Sequence, residues 1–220
     1  MFLSDTFVTL TGKSLIITFI KHASLMLNFN KAIIYIDPVN EFADFHKMPK
    51  ADYILITHEH YDHFDKSAIE KVKTDKTKIV LNAASQKLLP IGTVLKNGEK
   101  LILAEDFKVE AVPSYNLLPE KQKFHPKGGR DNGYVLTLDG LRIYIAGDTE
   151  DIPEMAEIKN IDIAFLPINQ PYTMLPVQAI HATKILKPKI LYPYHYSDTK
   201  FDDSFFNELK SVDVRMRGME

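Results

Sequence analysis

The chain contains no cysteine. Disulfides are therefore excluded, and any metal it holds must be bound through nitrogen or oxygen. It also lacks a long apolar run, since the strongest, residues 15–20, is far too short to span a bilayer. The opening Met1-Phe2-Leu3-Ser4-Asp5 has no basic segment of the kind that begins a secretory signal. A soluble, cytoplasmic protein without a membrane partner is expected. Neither sign of charge dominates, because 27 Lys and Arg face 29 Asp and Glu for a net charge of −2. That balance gives no global attraction for nucleic acid, which is not the expected partner. Internal repeats and low-complexity linkers are not evident. With 220 residues and 45% hydrophobic content, a single domain over residues 1–220 with an ample core is expected.

What is present is concentrated in Ile54-Leu55-Ile56-Thr57-His58-Glu59-His60-Tyr61-Asp62-His63, where three imidazoles and a carboxylate follow a short apolar run. Neutral imidazole and carboxylate are what a divalent transition ion recruits when thiolates are missing. A zinc-protease helix needs His-Glu followed two residues later by His, but Asp62 stands at that position. Asp65-Lys66-Ser67-Ala68 reads as an ordinary helix cap, which explains Asp65 but not the histidines. His-x-His-x-Asp-His offers ligands that alternate in direction as the chain leaves a strand, enough for two adjacent ions. The pattern resembles the signature of the metallo-β-lactamase superfamily. That resemblance implies His58 and His60 at one metal, Asp62 and His63 at the second, Asp148 bridging both, and His195 on the second.

Strand-like segments at residues 15–20, 24–29 and 32–36, with a turn at Asn28-Phe29-Asn30-Lys31, predict an antiparallel start. Helices are expected at 67–73, 85–89, 152–158, 176–186 and 203–211, with strands at 53–56, 78–81, 100–103, 107–115, 133–138, 141–146, 161–166 and 190–194. Asp139-Gly140 predicts a tight hairpin turn. This order fits two sheets flanked by helices, the α/β four-layer αββα sandwich that the resemblance implies. Several apolar strands end in a residue able to bind metal: residues 33–36 before Asp37, 53–56 before His58, 141–146 before Gly147-Asp148, and 190–194 before His195. If these strands share a sheet edge, the side chains converge.

The resemblance places Asp37 behind the metals, accepting a hydrogen bond from a ligand histidine. The superfamily commonly has a histidine at the end of the strand corresponding to 107–115, but this chain reads Pro113-Ser114-Tyr115-Asn116. Either His125, delivered by the long loop, or the amide oxygen of Asn116 supplies the third ligand of the first metal, or that site holds metal poorly; His125 is preferred to Asn116. His22, in His22-Ala23-Ser24, resembles a stretch of the ascorbate-6-phosphate lactonase-like branch, as does Gly133-Tyr134-Val135. His46 and His181 receive no role.

The resemblance implies a metal-dependent hydrolase with two divalent ions, zinc, manganese or iron, zinc being the first choice. Such ions share a water and lower its pKa to about 7. The bridging hydroxide would attack, Asp62 would orient it, and Tyr194 or His22 would stabilise charge on the substrate. Lys121, Lys123, Lys127 and Arg130 surround His125 and, if they stand over the metals, favour a small anionic ester, lactone or phosphoester. A phosphodiesterase or nuclease of the same superfamily and a non-catalytic metal- or ligand-binding module are the alternatives. A redox diiron enzyme would replace a histidine of the cluster by glutamate, and His60 is retained.

Overall fold

Apolar residues fill consecutive positions at 33–36, 54–56 and 79–81, a pattern that suits strands covered on both faces. The computed structural model describes residues 2–197, 199 and 201–219 and shows that coverage. Ile34, Ile36, Leu55 and Val80 point into the core between two sheets, while Ile33, Tyr35, Ile54, Ile56, Ile79 and Leu81 point outward. The outward set packs with Ala68, Ile69 and Val72 of helix α1 (Lys66–Val72). Strand alternation thus divides one apolar run between two cores.

The first sheet runs β1 (Leu3–Val8), β2 (Ser14–Lys21), β3 (Ser24–Phe29), β4 (Ala32–Ile36), β5 (Tyr53–Leu55), β6 (Lys78–Leu81) and β7 (Thr93–Val94) in spatial order. β1 to β4 are antiparallel neighbours, and β4 to β7 are parallel. The second sheet repeats this plan. β8 (Lys100–Ala104), β9 (Phe107–Ser114), β10 (Asp131–Leu138) and β11 (Leu141–Ile145) are antiparallel neighbours. β12 (Ile163–Pro167), β13 (Ile190–Tyr194) and β14 (Asp213–Val214) then continue in parallel. Helices α1 and α2 (Ala83–Leu88) connect parallel strands of the first sheet, and α3 (Pro176–Leu186) those of the second. α3 buries Ala179, Ile180, Ala182 and Leu186. The architecture is the expected αββα sandwich. Among the described residues, no helix is long and apolar enough to cross a membrane.

Local expectations hold in most places. Asp139 and Gly140 adopt φ of 46° and 85° and join Leu138 to Leu141 in a tight hairpin. Asp65 caps α1 by accepting from Ser67 and Ala68 N–H, and Asn82 caps α2 through Ser85 N–H. Both helices consequently begin earlier than the apolar pattern predicts. The segments at 152–158 and 203–211 form 3₁₀ turns, Pro153–Glu157 and Asp203–Glu208, in place of α-helices. β1 escaped prediction because it lies at a sheet edge, where four of its six residues are exposed and Ser4, Asp5 and Thr6 interrupt the apolar signal. β7 and β14 are too short for any periodicity to register.

The sheets are stitched together where β5 ends. Asn132 N–H donates to Thr57 O at 3.0 Å, and Tyr134 Oη donates to Ile56 O at 2.7 Å. Tyr134 is fully buried, so Tyr134→Phe would leave that carbonyl without its partner. The expected loss is about 1–3 kcal/mol of stability, read as a lower thermal midpoint with the folded spectrum retained.

Candidate metal centre

The histidine cluster leaves β5 through Thr57, whose fully buried side chain is held by Asp37 at the end of β4. Thr57 N–H donates to Asp37 Oδ1 at 2.8 Å and Thr57 Oγ1 to Asp37 Oδ2 at 2.6 Å. The same Asp37 Oδ2 lies 2.8 Å from His63 Nδ1. Asp37 takes the position expected for it, with a left-handed φ of 43°.

Three further imidazoles are likewise held at the rear nitrogen. His58 Nδ1 lies 3.0 Å from Thr57 Oγ1, His125 Nδ1 3.0 Å from Asp131 Oδ2, and His195 Nδ1 3.3 Å from the Asn169 amide. Such contacts set the tautomer and ring orientation of a metal ligand. The front nitrogens converge on Asp148. Its Oδ2 lies 3.3 Å from His125 Nε2 and 3.9 Å from His58 Nε2, and its Oδ1 lies 3.2 Å from His63 Nε2 and 3.3 Å from His195 Nε2. His60 Nδ1 approaches His58 Nε2 to 3.1 Å. Asp62 Oδ2 stands 3.6 Å from His195 Nε2. Two groups result: His58, His60 and His125 on the side of Asp148 Oδ2, and His22, Asp62, His63 and His195 on the side of Oδ1.

Gly147 lets Asp148 enter this ring. Its φ is 64°, and a Cβ there would lie 2.7 Å from Asn132 O. The donor set fits a pair of divalent ions. Asp148 Oδ1 is buried and makes no hydrogen bond, although unsatisfied buried carboxylate oxygens are strongly disfavoured. His63 Nε2 and His195 Nε2 also approach each other to 2.9 Å while facing the same oxygen. Nitrogens crowded in this way converge on a common point, as ligands do.

The charges agree. Burial alone would raise the Asp148 carboxyl, but His195, His63 and His125 hold it far below the usual carboxylate range. Asp62 is lowered against burial by His63, His195 and His22. Burial works against charged His125, yet Asp131 and Asp148 outweigh it and lift the imidazole to about 9. His63 and His195 are raised against burial too, with Asp148 the principal cause. His58 is pushed well down by burial and by His63.

The loop does bring His125 into the first group, with Nε2 3.3 Å from Asp148 Oδ2. Asn116 Nδ2 donates to Tyr172 O at 2.7 Å, and its backbone N–H donates to His125 O at 2.9 Å. His22 reaches the second group, with Nε2 3.1 Å from Asp62 Oδ2 and Nδ1 3.2 Å from Ser197 Oγ. Burial, His195 and His63 lower it to about 4. Tyr194 does not reach the cavity: it is buried beneath the site, and its Oη accepts from Gly147 N–H at 3.0 Å. The chain turns at His195, where φ is 50°, and Tyr194 stays below the turn and braces Gly147 beside Asp148.

The basic loop differs from expectation as well. Lys121 turns inward to Glu150 Oε1 at 3.0 Å, Lys123 lies over the Phe124 ring and Lys127 over Tyr115. Arg130 pairs with Asp131 at 2.6 Å. None of the four lines the cavity of about 1010 Å³ that opens onto the candidate ligands, where Lys21 is the only lysine or arginine among the described residues. His46 and His181 are exposed away from the site. Asp131 and Asn169 were missed in the sequence, although Asn169 follows the apolar Leu166-Pro167-Ile168 as the other ligand-bearing ends follow their strands.

Elemental analysis of protein purified without chelator should find two metal equivalents per chain, falling to one in His125→Ala. Metal binding should also release protons. Because His125 carries its proton up to about pH 9 in the metal-free protein, apparent metal affinity should rise between pH 6.5 and 9. Over the same window the metal-free protein should lose stability. A group whose folded pKa lies above its ordinary value of 6.5 stabilises fully below 6.5 and ceases to do so above about 9. Calorimetric titration with zinc in buffers of different ionisation heat, paired with thermal unfolding of metal-free protein, measures both.

The model of the beta-lactamase superfamily domain matches residues 16–195, which include His22 and every ligand candidate. A UPF0173 metal-dependent hydrolase of Archaeoglobus fulgidus is 31% identical over 193 residues, covering 82% of this chain and 83% of the relative. One from Thermococcus kodakarensis is 34% identical over 194 residues, with 82% and 84% covered. A crystal structure from Parabacteroides distasonis, described provisionally as a metal-dependent hydrolase, is 55% identical with a TM-score of 0.96, covering 100% of both chains. The chain thus belongs to the metallo-β-lactamase superfamily and, within it, to the UPF0173 metal-dependent hydrolases.

Proposed function

We propose that the protein hydrolyses a small ester, lactone or phosphoester at a dinuclear metal centre. The observation that carries this reading is the division of Asp148, one oxygen facing His58 and His125 and the other His63 and His195. Two divalent cations, zinc by preference, would supply Lewis acidity and a water acidic enough to attack at neutral pH. His58, His60 and His125 would hold the first, Asp62, His63 and His195 the second, and Asp148 both.

The chain's own side chains do the rest. Asp62 is half-buried at the cavity wall and orients the attacking group. His22 fixes Asp62. A carboxylate only accepts, so the proton they share sits on His22 Nε2, and Nδ1 accepts from Ser197 Oγ. Both nitrogens are engaged, which makes His22 a holder of Asp62 in this reading and not a donor to substrate. Phe42, Tyr61, Phe124 and Tyr172 line the cavity alongside Glu41 and Glu59. These walls suit a compact molecule with an apolar part. Affinity for an anionic group would come from the metals and Lys21, because Lys121, Lys123, Lys127 and Arg130 are held by partners of their own.

A panel of 4-nitrophenyl esters, lactones and phosphoesters tests the reading. Turnover of at least one class should disappear on dialysis against chelator and return with zinc or manganese. His60→Ala and Asp62→Ala should fall to background while remaining folded, since the core is built from other residues. Full metal occupancy with no turnover of any class would favour the binding module instead.

A further inference from the structure

His125 reaches the first metal position from the connection between β9 and β10, residues 115–130. A ligand on a loop must be held in place by something other than strand geometry. The holding group is Glu150, fully buried two residues beyond Asp148. Glu150 Oε2 accepts from Leu117 N–H at 2.7 Å and Leu118 N–H at 3.0 Å, and Oε1 accepts from Lys121 Nζ at 3.0 Å. Lys121 Nζ also donates to Gln170 Oε1 and Thr173 O, each at 3.3 Å. Backbone bonds pass this anchoring on to the histidine: Phe124 N–H donates to Lys121 O at 3.0 Å, and Asn116 N–H to His125 O at 2.9 Å.

We infer that Lys121 and Glu150 are positioning residues for the first metal, their buried ion pair fixing the loop that delivers His125. The inference rests on the dinuclear reading above. Neither side chain lines the cavity, so neither touches substrate. A buried ion pair is weak evidence for stability, because apolar residues of similar volume often serve as well. What such residues do not supply is direction. Lys121 gathers acceptors from the 150, 170 and 173 positions onto one ammonium and so gives the loop a single seat. The turn that carries Asp148 also carries the anchor for His125, which ties two ligands of the first position to one piece of backbone.

Zinc titrations against a chromophoric chelator, with thermal unfolding of the metal-free proteins in parallel, test this. The variants are Lys121→Met with Glu150→Gln, Lys121→Met alone, and Lys121→Arg. Wild type should bind two zinc ions; fewer than two would overturn the dinuclear reading itself, and the inference with it. In the double variant one zinc should weaken by about 10–100-fold, the range for groups behind a ligand. The other should keep its affinity, and the metal-free midpoint should stay near that of wild type. Lys121→Arg should restore most of the lost affinity. A folded double variant that binds both ions as wild type does would overturn the inference. So would equal weakening of both ions with a lowered midpoint, which marks a general structural role. If the double variant fails to fold, Lys121→Met alone must show the selective loss. Failure of both to fold would make the pair a stability element and overturn the inference.

Discussion

A buried carboxylate among crowded imidazoles is the constraint around which this molecule is organised. Asp148 has one oxygen without a hydrogen bond, with His63 and His195 closing on it from one side. Left to itself, that arrangement is costly, because burial penalises charge and like-facing nitrogens repel. It persists because the surrounding structure allows little else. Gly147 admits the turn, Tyr194 braces it, and the ends of β4, β5, β12 and β13 bring their polar residues to the same edge.

The supporting contacts follow one logic. Asp37, Asp131, Asn169 and Thr57 each sit behind an imidazole and leave its front nitrogen facing the centre. Their chemistry differs, and so does their effect on the rings. Carboxylates behind His63 and His125 favour protonation, whereas His58, backed by a hydroxyl, is kept neutral by burial. The centre therefore combines imidazoles ready to bind with imidazoles that must first give up a proton.

The sequence shows best what is local. The six residues from His58 to His63 carry their chemistry in their spacing, and Asp37, Asp148 and His195 are visible as polar ends of apolar strands. His125 is harder to read, because no periodicity tells where a loop returns; only the lack of a histidine after β9 pointed to it. Tyr194 adjoins His195 in the sequence, but the chain leaves β13 at His195 through a left-handed φ of 50°, a turn that no apolar pattern announces. The lysines of the loop were read as a patch when their partners, Glu150 and the rings of Phe124 and Tyr115, lie close only in the folded chain. Edge and two-residue strands stayed hidden for want of an apolar pattern. The repeated plan of the two sheets is equally invisible in the residues, since it resides in strand direction and order.

That repetition bears on how the molecule is held together. The first sheet contributes His58, His60, Asp62 and His63 from the turn after β5; the second contributes His125, Asp148 and His195. Each candidate ligand group draws on both halves, and the hydrogen bonds that Thr57 O and Ile56 O accept cross the same seam. In the proposed dinuclear centre, a bound pair of ions would work as a clasp along one rim of the sandwich, joining two similar half-molecules.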